Sequence, residues 1–212
     1  MDKFNLEQLF SSERLKPYYK RFPDNETKAI LLYKTNIQIS EAFYPSLSIL
    51  EIVLRNAINN SCKKHFKDEY WFKNNLPPEL VQQVVNIELK TSHTKKNPTP
   101  DRIVSELTFG FWTTLFNRKY AKLLWKPLHK IFLHTPRNLR KRAEISLRLN
   151  HIRILRNRIY HYEPISWNFQ ILNSNYKMII ELLNWLNADI VNWTKDINRF
   201  EIVLNKVKKE LK

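Results

Sequence analysis

The sequence predicts an all-α protein, and three observations lead to that prediction. Apolar residues recur at intervals of three and four along nearly all of the 212 residues. Gly110 is the only glycine, so the chain lacks the residues from which tight hairpin turns and the glycine-rich loops of nucleotide sites are built. Prolines interrupt the apolar pattern at points where helices can begin or end. We therefore expect helices joined by loops.

The first half of the chain predicts two long helices and a shorter third one. Apolar residues at helical spacing run through residues 30–43 and again through residues 47–58. Pro45 suits the first turn of the second helix, where its missing N–H has no cost. The prolines at 77–78 mark the next break, and a helix over about 80–89 follows it.

The second half begins with a polar stretch, residues 92–100, which predicts a loop. Thr99 and Pro100 at its end are typical of an N-cap and the first helical turn. An apolar stripe at helical spacing then runs through residues 103–115. After a polar turn the stripe continues through residues 123–132.

A long helix is predicted over about 138–162, where Pro164 ends it. Its apolar residues fall at steps of four and three and should form one buried face: Ile145, Leu149, Ile152, Leu155 and Ile159. Two further helices are expected over about 169–188 and 190–211. Because no repeat or linker divides the chain, we expect a single domain over 1–212, in which the N-terminal helices to about residue 98 pack with a basic half from about residue 99.

Positive charge is concentrated in the second half. The net charge is +16, and the 42 residues from Asn117 to Arg158 hold thirteen Lys or Arg residues against one acid, Glu144. A charge of this size attracts polyanions and raises their encounter rate. The segment therefore predicts contact with nucleic acid, and a merely solvated basic face is the alternative.

Cysteine usage and the N-terminus favour the cytoplasm. The lone Cys62 cannot form an intrachain disulfide, and the scattered histidines lack the spacing of metal ligands, so we expect no metal and no cofactor. The first ten residues carry Asp2 and Glu7 without a cationic start, and no uninterrupted apolar stretch approaches about 18 residues. We expect a cytoplasmic protein that does not span a membrane.

Arg156, Asn157 and His161 are the candidate catalytic residues. Asn157 and His161 are four residues apart on the predicted helix and share a face, and the long Arg156 side chain can reach toward it. This set suits attack of a ribose 2′-hydroxyl on the neighbouring phosphodiester. Histidine can move protons near neutral pH and arginine can grip the phosphate with its planar fork, while asparagine would orient the imidazole or the phosphate.

One histidine cannot easily serve as both acid and base in one turnover. A two-fold dimer would bring a second copy of the motif into the same cleft, because an isologous interface places identical residues face to face. Taken alone, the spacing Arg-Asn-x-x-x-His is also compatible with an ordinary basic helix end and a surface histidine.

The run of residues 155–165, LRNRIYHYEPI, resembles the signature of HEPN-domain ribonucleases, specifically the Abi-like (AbiD/AbiF) abortive-infection family. Residues 50–57, LEIVLRNA, resemble the N-terminal helix signature of that family, and residues 105–112, SELTFGFW, resemble its central one. The three segments occur in the family's order and extend over most of the chain.

The resemblance implies an HEPN-like helical bundle with additional helices. It also implies metal-independent endoribonuclease activity from paired motifs, with a 2′,3′-cyclic phosphate product, in phage defence or a toxin–antitoxin system. Some members of the family are restrained by a cognate RNA or protein antitoxin. Because this chain has a single motif, the resemblance implies a homodimer.

Further residues complete the candidate site. Glu51 and Arg55 have the spacing of an ordinary surface ion pair, but Arg55-Asn56 repeats the dipeptide of the motif, so all three are also candidates to border the cleft. The cations expected to bind RNA are Arg137, Arg140, Lys141, Arg142, Arg148, Arg153 and Arg158. Two alternatives to the enzyme are a non-catalytic protein that holds a structured RNA and, less favoured without a helix-turn-helix glycine turn, a DNA-binding regulator.

Overall fold

A computed structural model describes residues 3–92 and 99–211 of the chain. Within those residues the protein forms twelve α-helices and no strand, which confirms the all-α prediction. In chain order the helices are α1 (Lys3–Phe10), α2 (Ser12–Arg21), α3 (Glu26–Phe66), α4 (Trp71–Asn74), α5 (Pro78–Ser92), α6 (Pro100–Glu106), α7 (Phe109–Thr114), α8 (Ala121–Leu128), α9 (Arg142–Tyr160), α10 (Phe169–Leu186), α11 (Ala188–Trp193) and α12 (Phe200–Glu210). Short 3-10 turns, Arg118–Tyr120 and His129–Ile131, flank α8.

The 41-residue helix α3 is the centre of the bundle. It is about 60 Å long at the rise of an α-helix. Helices α2, α7, α8, α10 and α12 all pack against it, and buried residues occur from Ala29 near its start to Cys62 near its end. By length and composition alone, α3 is also long and apolar enough to cross a membrane, a property that the core helix of a bundle shares.

The predicted helix break at Pro45 is wrong, because α3 continues through this residue. Proline removes one N–H, which leaves only the carbonyl of Glu41 without its helical partner, and Glu41 is exposed to water. Two hydroxyls bond to carbonyls near the proline: Ser46 donates to Phe43 at 3.0 Å and Ser48 donates to Pro45 at 3.1 Å. Packing along the rest of the helix offsets the cost of the missing bond.

Two other predicted helical stretches are each divided into two helices. The stripe over 103–115 divides at Leu107, since the Thr108 hydroxyl caps α7 by accepting from the Phe111 N–H at 3.2 Å. The helix expected over 190–211 is two helices, α11 and α12.

The predicted N-cap at Thr99 is confirmed, because its hydroxyl accepts a hydrogen bond from the Arg102 N–H at 3.3 Å. Residues 93–98 of the predicted loop lie outside the described residues.

Helix α9 is shorter than the predicted span of 138–162. It begins at Arg142, after a turn in which the Arg140 guanidinium donates to the Thr135 carbonyl at 2.9 Å. Its predicted buried face is confirmed for all five apolar residues, from Ile145 to Ile159. That face joins the main core, which includes residues of α3, α7, α8, α10 and α12, so both halves of the chain contribute to one core.

Candidate functional site

The motif lies where α9 ends. The helix stops at Tyr160, and His161 is the C-cap residue, yet its N–H still bonds to the Asn157 carbonyl at 2.9 Å. The next two N–H groups turn back onto the helix, from Tyr162 to Ile159 at 3.0 Å and from Glu163 to Arg158 at 2.8 Å. This pair of bonds is a Schellman motif, with Tyr162 in the left-handed conformation at φ 58°.

Two side chains from distant helices hold the segment that follows the motif. The buried Asn36 on α3 accepts from the Ile165 N–H at 2.7 Å and from the Ser166 N–H at 3.2 Å, and its amide donates to the Glu163 carbonyl at 3.2 Å. Arg14 on α2 donates to the Tyr162 carbonyl at 2.6 Å. The backbone around His161 is therefore fixed by hydrogen bonds on both sides of the turn.

Arg156 is held by Glu51 and Tyr160. Its terminal nitrogen lies 3.4 Å from a Glu51 carboxylate oxygen, and both side chains are only about a quarter exposed, at 27% and 23%. The guanidinium carbon lies 4.0 Å from the centre of the Tyr160 ring, a cation–π contact. The Nε–H is buried without a hydrogen-bond partner. Arg156 is therefore oriented, with one donor left unused.

Tyr160 keeps its proton near neutral pH. Partial burial raises the pKa of its hydroxyl, and the neighbouring Arg156 guanidinium opposes that rise. The negative charge of Glu51 and the nearby Tyr44 raise this pKa further. The Tyr160 hydroxyl can thus donate a hydrogen bond beside the guanidinium.

His161 and Asn157 are open to solvent beside this cluster. The His161 side chain is exposed and Asn157 is partly exposed. Within the described residues, neither the imidazole nor the Asn157 amide has a side-chain hydrogen-bond partner. An imidazole, an amide and an oriented guanidinium thus lie at one helix end, and no carboxylate among the described residues contacts the imidazole.

Glu51 and Arg55 do not form the surface ion pair that their spacing favours. Glu51 pairs with Arg156 on α9, whereas Arg55 turns the other way, donating to Asn56 Oδ1 at 3.2 Å and to the Ser105 carbonyl at 3.4 Å. These contacts join the three segments 50–57, 105–112 and 155–165. Asn56 itself is exposed.

Five of the seven cations expected to bind RNA form hydrogen bonds within the chain. Arg140 holds the turn before α9 through the Thr135 carbonyl, and Arg142 donates to the Phe116 carbonyl at 2.8 Å. Arg148 bonds to Glu144 and to Glu181, each at 2.6 Å. Arg158 bonds to Glu163 at 3.2 Å and to the Pro164 carbonyl. Arg153 is partly exposed and donates to Asn150 at 3.3 Å. Arg137 and Lys141 are exposed.

Other chemistries find less support among the described residues. Cys62 is fully buried, and burial raises the pKa of its thiol to about 12, so it is not a thiolate nucleophile. Within residues 3–92 and 99–211, no three His, Cys, Asp or Glu side chains cluster closely enough to hold a metal ion.

An apolar groove of about 740 Å³ adjoins the motif. We call it the aromatic groove; residues that line it and are exposed include Leu9, Phe10, Ile37, Tyr44, Tyr160 and Tyr162. Several of these side chains are largely uncovered, with Leu9 at 68%, Tyr44 at 58% and Tyr162 at 74%. Tyr160 and Tyr162 flank His161 in the sequence, so the groove and the motif share an edge.

Sequence reasoning missed Asn36, Arg14 and Tyr160. A signal for Asn36 exists, since it is a polar residue on the face of α3 that also buries Leu32 and Ile39. Arg14 bonds to backbone carbonyls 147 and 148 residues away, and no local pattern indicates such a contact.

Comparison of the chain with protein-family models, with curated proteins and with solved structures found no match in any of the three.

Proposed function

We propose that this protein is a metal-independent endoribonuclease of the HEPN type, active as a homodimer in phage defence or as a toxin in the cytoplasm. One observation carries the proposal: Glu51 and Arg156, 105 positions apart in the sequence, pair at the helix end that bears Asn157 and His161. Segments that resemble the Abi-like family in sequence thus meet at a single place, where a cation, an amide and an imidazole lie together.

The reaction needs a base, an acid and a cation. The 2′-oxygen attacks phosphorus, a base removes its proton, the bond from phosphorus to the 5′-oxygen breaks, and an acid protonates the leaving oxygen. His161 of one copy would take the first proton and His161 of the second copy would supply the last. Arg156 would neutralise the charge that builds on the phosphoryl oxygens, and the product would be a 2′,3′-cyclic phosphate.

The second copy would dock on the aromatic groove. Exposed apolar patches beside polar residues mark interaction sites on soluble proteins, and this one adjoins the motif that must be duplicated. A two-fold axis near the groove would bring both copies of His161 toward one cleft.

The experiment is cleavage of a labelled single-stranded RNA in EDTA by the purified chain. We expect His161→Ala to lower the rate at least about 100-fold, the usual contribution of a positioned acid or base. Arg156→Lys should also slow cleavage, because the ammonium keeps the charge but loses the planar fork. His134→Ala is the matched control, since His134 is also exposed but lies outside the motif. Cleavage by His161→Ala at the wild-type rate would contradict the proposal.

A non-catalytic RNA-holding protein is the second candidate. It is favoured by the exposed His161 imidazole, which no carboxylate among the described residues contacts or orients. Under this alternative the wild-type chain binds RNA in a salt-sensitive manner, and neither it nor the His161→Ala variant produces cyclic phosphate ends.

A further inference from the structure

A row of cations that are not bonded within the described chain runs along α8 and the 3-10 turns at its ends, and not along α9. Residues 107–143 contain nine Lys or Arg residues and no Asp or Glu. Four of the nine recur at intervals of four residues, and we call them the cation row: Arg118, Lys122, Lys126 and Lys130. Lys122 and Lys126 are one turn apart on α8, and the other two lie in the 3-10 turns at its ends.

All four side chains of the cation row are exposed, and within the described part of the chain none of them forms an ion pair or side-chain hydrogen bond. The arginines of α9 differ, because Arg142 and Arg148 are bound to groups of their own chain. A cation without an intramolecular partner can exchange its counterions for phosphates at no cost to the fold.

The opposite side of α8 is fixed to the bundle. Leu124, Pro127 and Leu128 are buried, and the Ser61 hydroxyl on α3 donates to the Pro127 carbonyl at 2.8 Å. The row is therefore carried by a packed helix and not by a loop. Ser61 lies ten residues beyond Glu51 on α3, so the row and the Arg156 pair attach to one helix about 15 Å apart along its axis.

We propose that the cation row binds the phosphate backbone of the RNA strand outside the cleavage motif. This inference rests on the proposed function for the identity of the strand. Four cations at helical spacing contact phosphates without reading bases, so the row would contribute affinity and orientation but no sequence preference. The bound RNA would extend from the end of α9 to α8.

The test is binding of a labelled single-stranded RNA of about 20 nucleotides to chains that all carry His161→Ala, so that cleavage does not interfere. The row variant replaces Arg118, Lys122, Lys126 and Lys130 by Gln. Its control replaces four exposed lysines of other helices and loops by Gln: Lys20, Lys177, Lys195 and Lys209. Both variants lose the same charge, so a difference between them reports position and not net charge.

We expect the row variant to bind on the order of tenfold more weakly at moderate salt, and the salt dependence of log K to become shallower by roughly 0.7 for each cation removed, about three in all. The control should keep most of the wild-type slope. Equal slopes in the row and control variants would overturn the inference.

Competition with single-stranded DNA of the same sequence distinguishes the source of the phosphates. Because both strands carry the same phosphates, DNA at equal concentration that displaces about half of the RNA or less supports the proposal, whereas DNA that displaces nearly all of the RNA overturns the assignment to RNA. Because cleavage takes no part in this assay, row-dependent binding together with a wild-type chain that does not cleave RNA would support the row while contradicting the endoribonuclease proposal.

Discussion

Asn36 shows how one buried amide can determine the geometry of a distant helix end. Its side chain satisfies two backbone N–H groups and one carbonyl in the segment after α9. Ile165 and Ser166 are both buried, so these N–H groups have no water to replace the Asn36 oxygen. The position of His161 therefore depends on a residue 125 places earlier in the chain.

We predict that Asn36→Ala lowers the free energy of unfolding by about 2–4 kcal/mol, because two buried donors lose their acceptor. Urea denaturation of the purified variants measures this change. Gln38→Ala is the control, since Gln38 lies two residues away on α3 and is only partly buried. An equal loss in both variants would mean that the Asn36 amide does not hold the segment.

For individual residues, the sequence predicts which of them form the candidate motif but not what they contact. Arg142, Arg148 and Arg158 were predicted to face RNA from their charge alone. In the fold, Arg142 bonds to a carbonyl 26 residues earlier and Arg148 bonds to an acid 33 residues later. Such partners depend on how helices pack, and a count of local charges contains no information on them.

The end of α9 is an unusual Schellman motif, because a tyrosine occupies the position that glycine normally takes. A side chain in the left-handed region costs about 1–2 kcal/mol. Tyr162 is 74% exposed, so its ring recovers little of this cost by burial. The strain is stored one residue after His161.

We predict that Tyr162→Gly raises the free energy of unfolding by about 1 kcal/mol, since glycine adopts φ 58° without the steric cost. Tyr162→Ala removes the same ring but keeps the strain, so it should not stabilise the protein. Thermal unfolding of the two variants separates these effects, and a gain in the alanine variant would show that the ring itself is destabilising.

Helix positions were predictable and several helix boundaries were not. The apolar face of α9 and the N-cap at Thr99 follow from local spacing and local hydrogen bonds, and both are confirmed. The break expected at Pro45 failed because proline removes a single bond, and packing along a 41-residue helix outweighs that loss. The break at Leu107 was missed, although Thr108 offered a capping signal.

The aromatic groove is the surface that the second copy of the chain would cover in the proposed dimer. It lies between the N-terminal helices, α3 and the end of α9. Its exposed apolar side chains would lose contact with water in a two-fold dimer, and burial of apolar area is the main favourable term in association.

We predict that Ile37→Glu, in the aromatic groove, converts a dimer to a monomer and abolishes cleavage, because it places a charge in the proposed interface. Light scattering measures the mass and the labelled-RNA assay measures activity. Ile202→Glu on α12 is the control, since Ile202 is 72% exposed and lies outside the groove. A monomeric wild type that still cleaves RNA would contradict the composite site.

The proline inside α3 separates the two supports of the motif. Asn36, which fixes the segment after His161, precedes Pro45, and Glu51, which holds Arg156, follows it. Helices bend most readily at proline. A change in the bend angle of α3 would therefore move Asn36 relative to Glu51, so that both contacts that hold the end of α9 depend on one backbone position in the core.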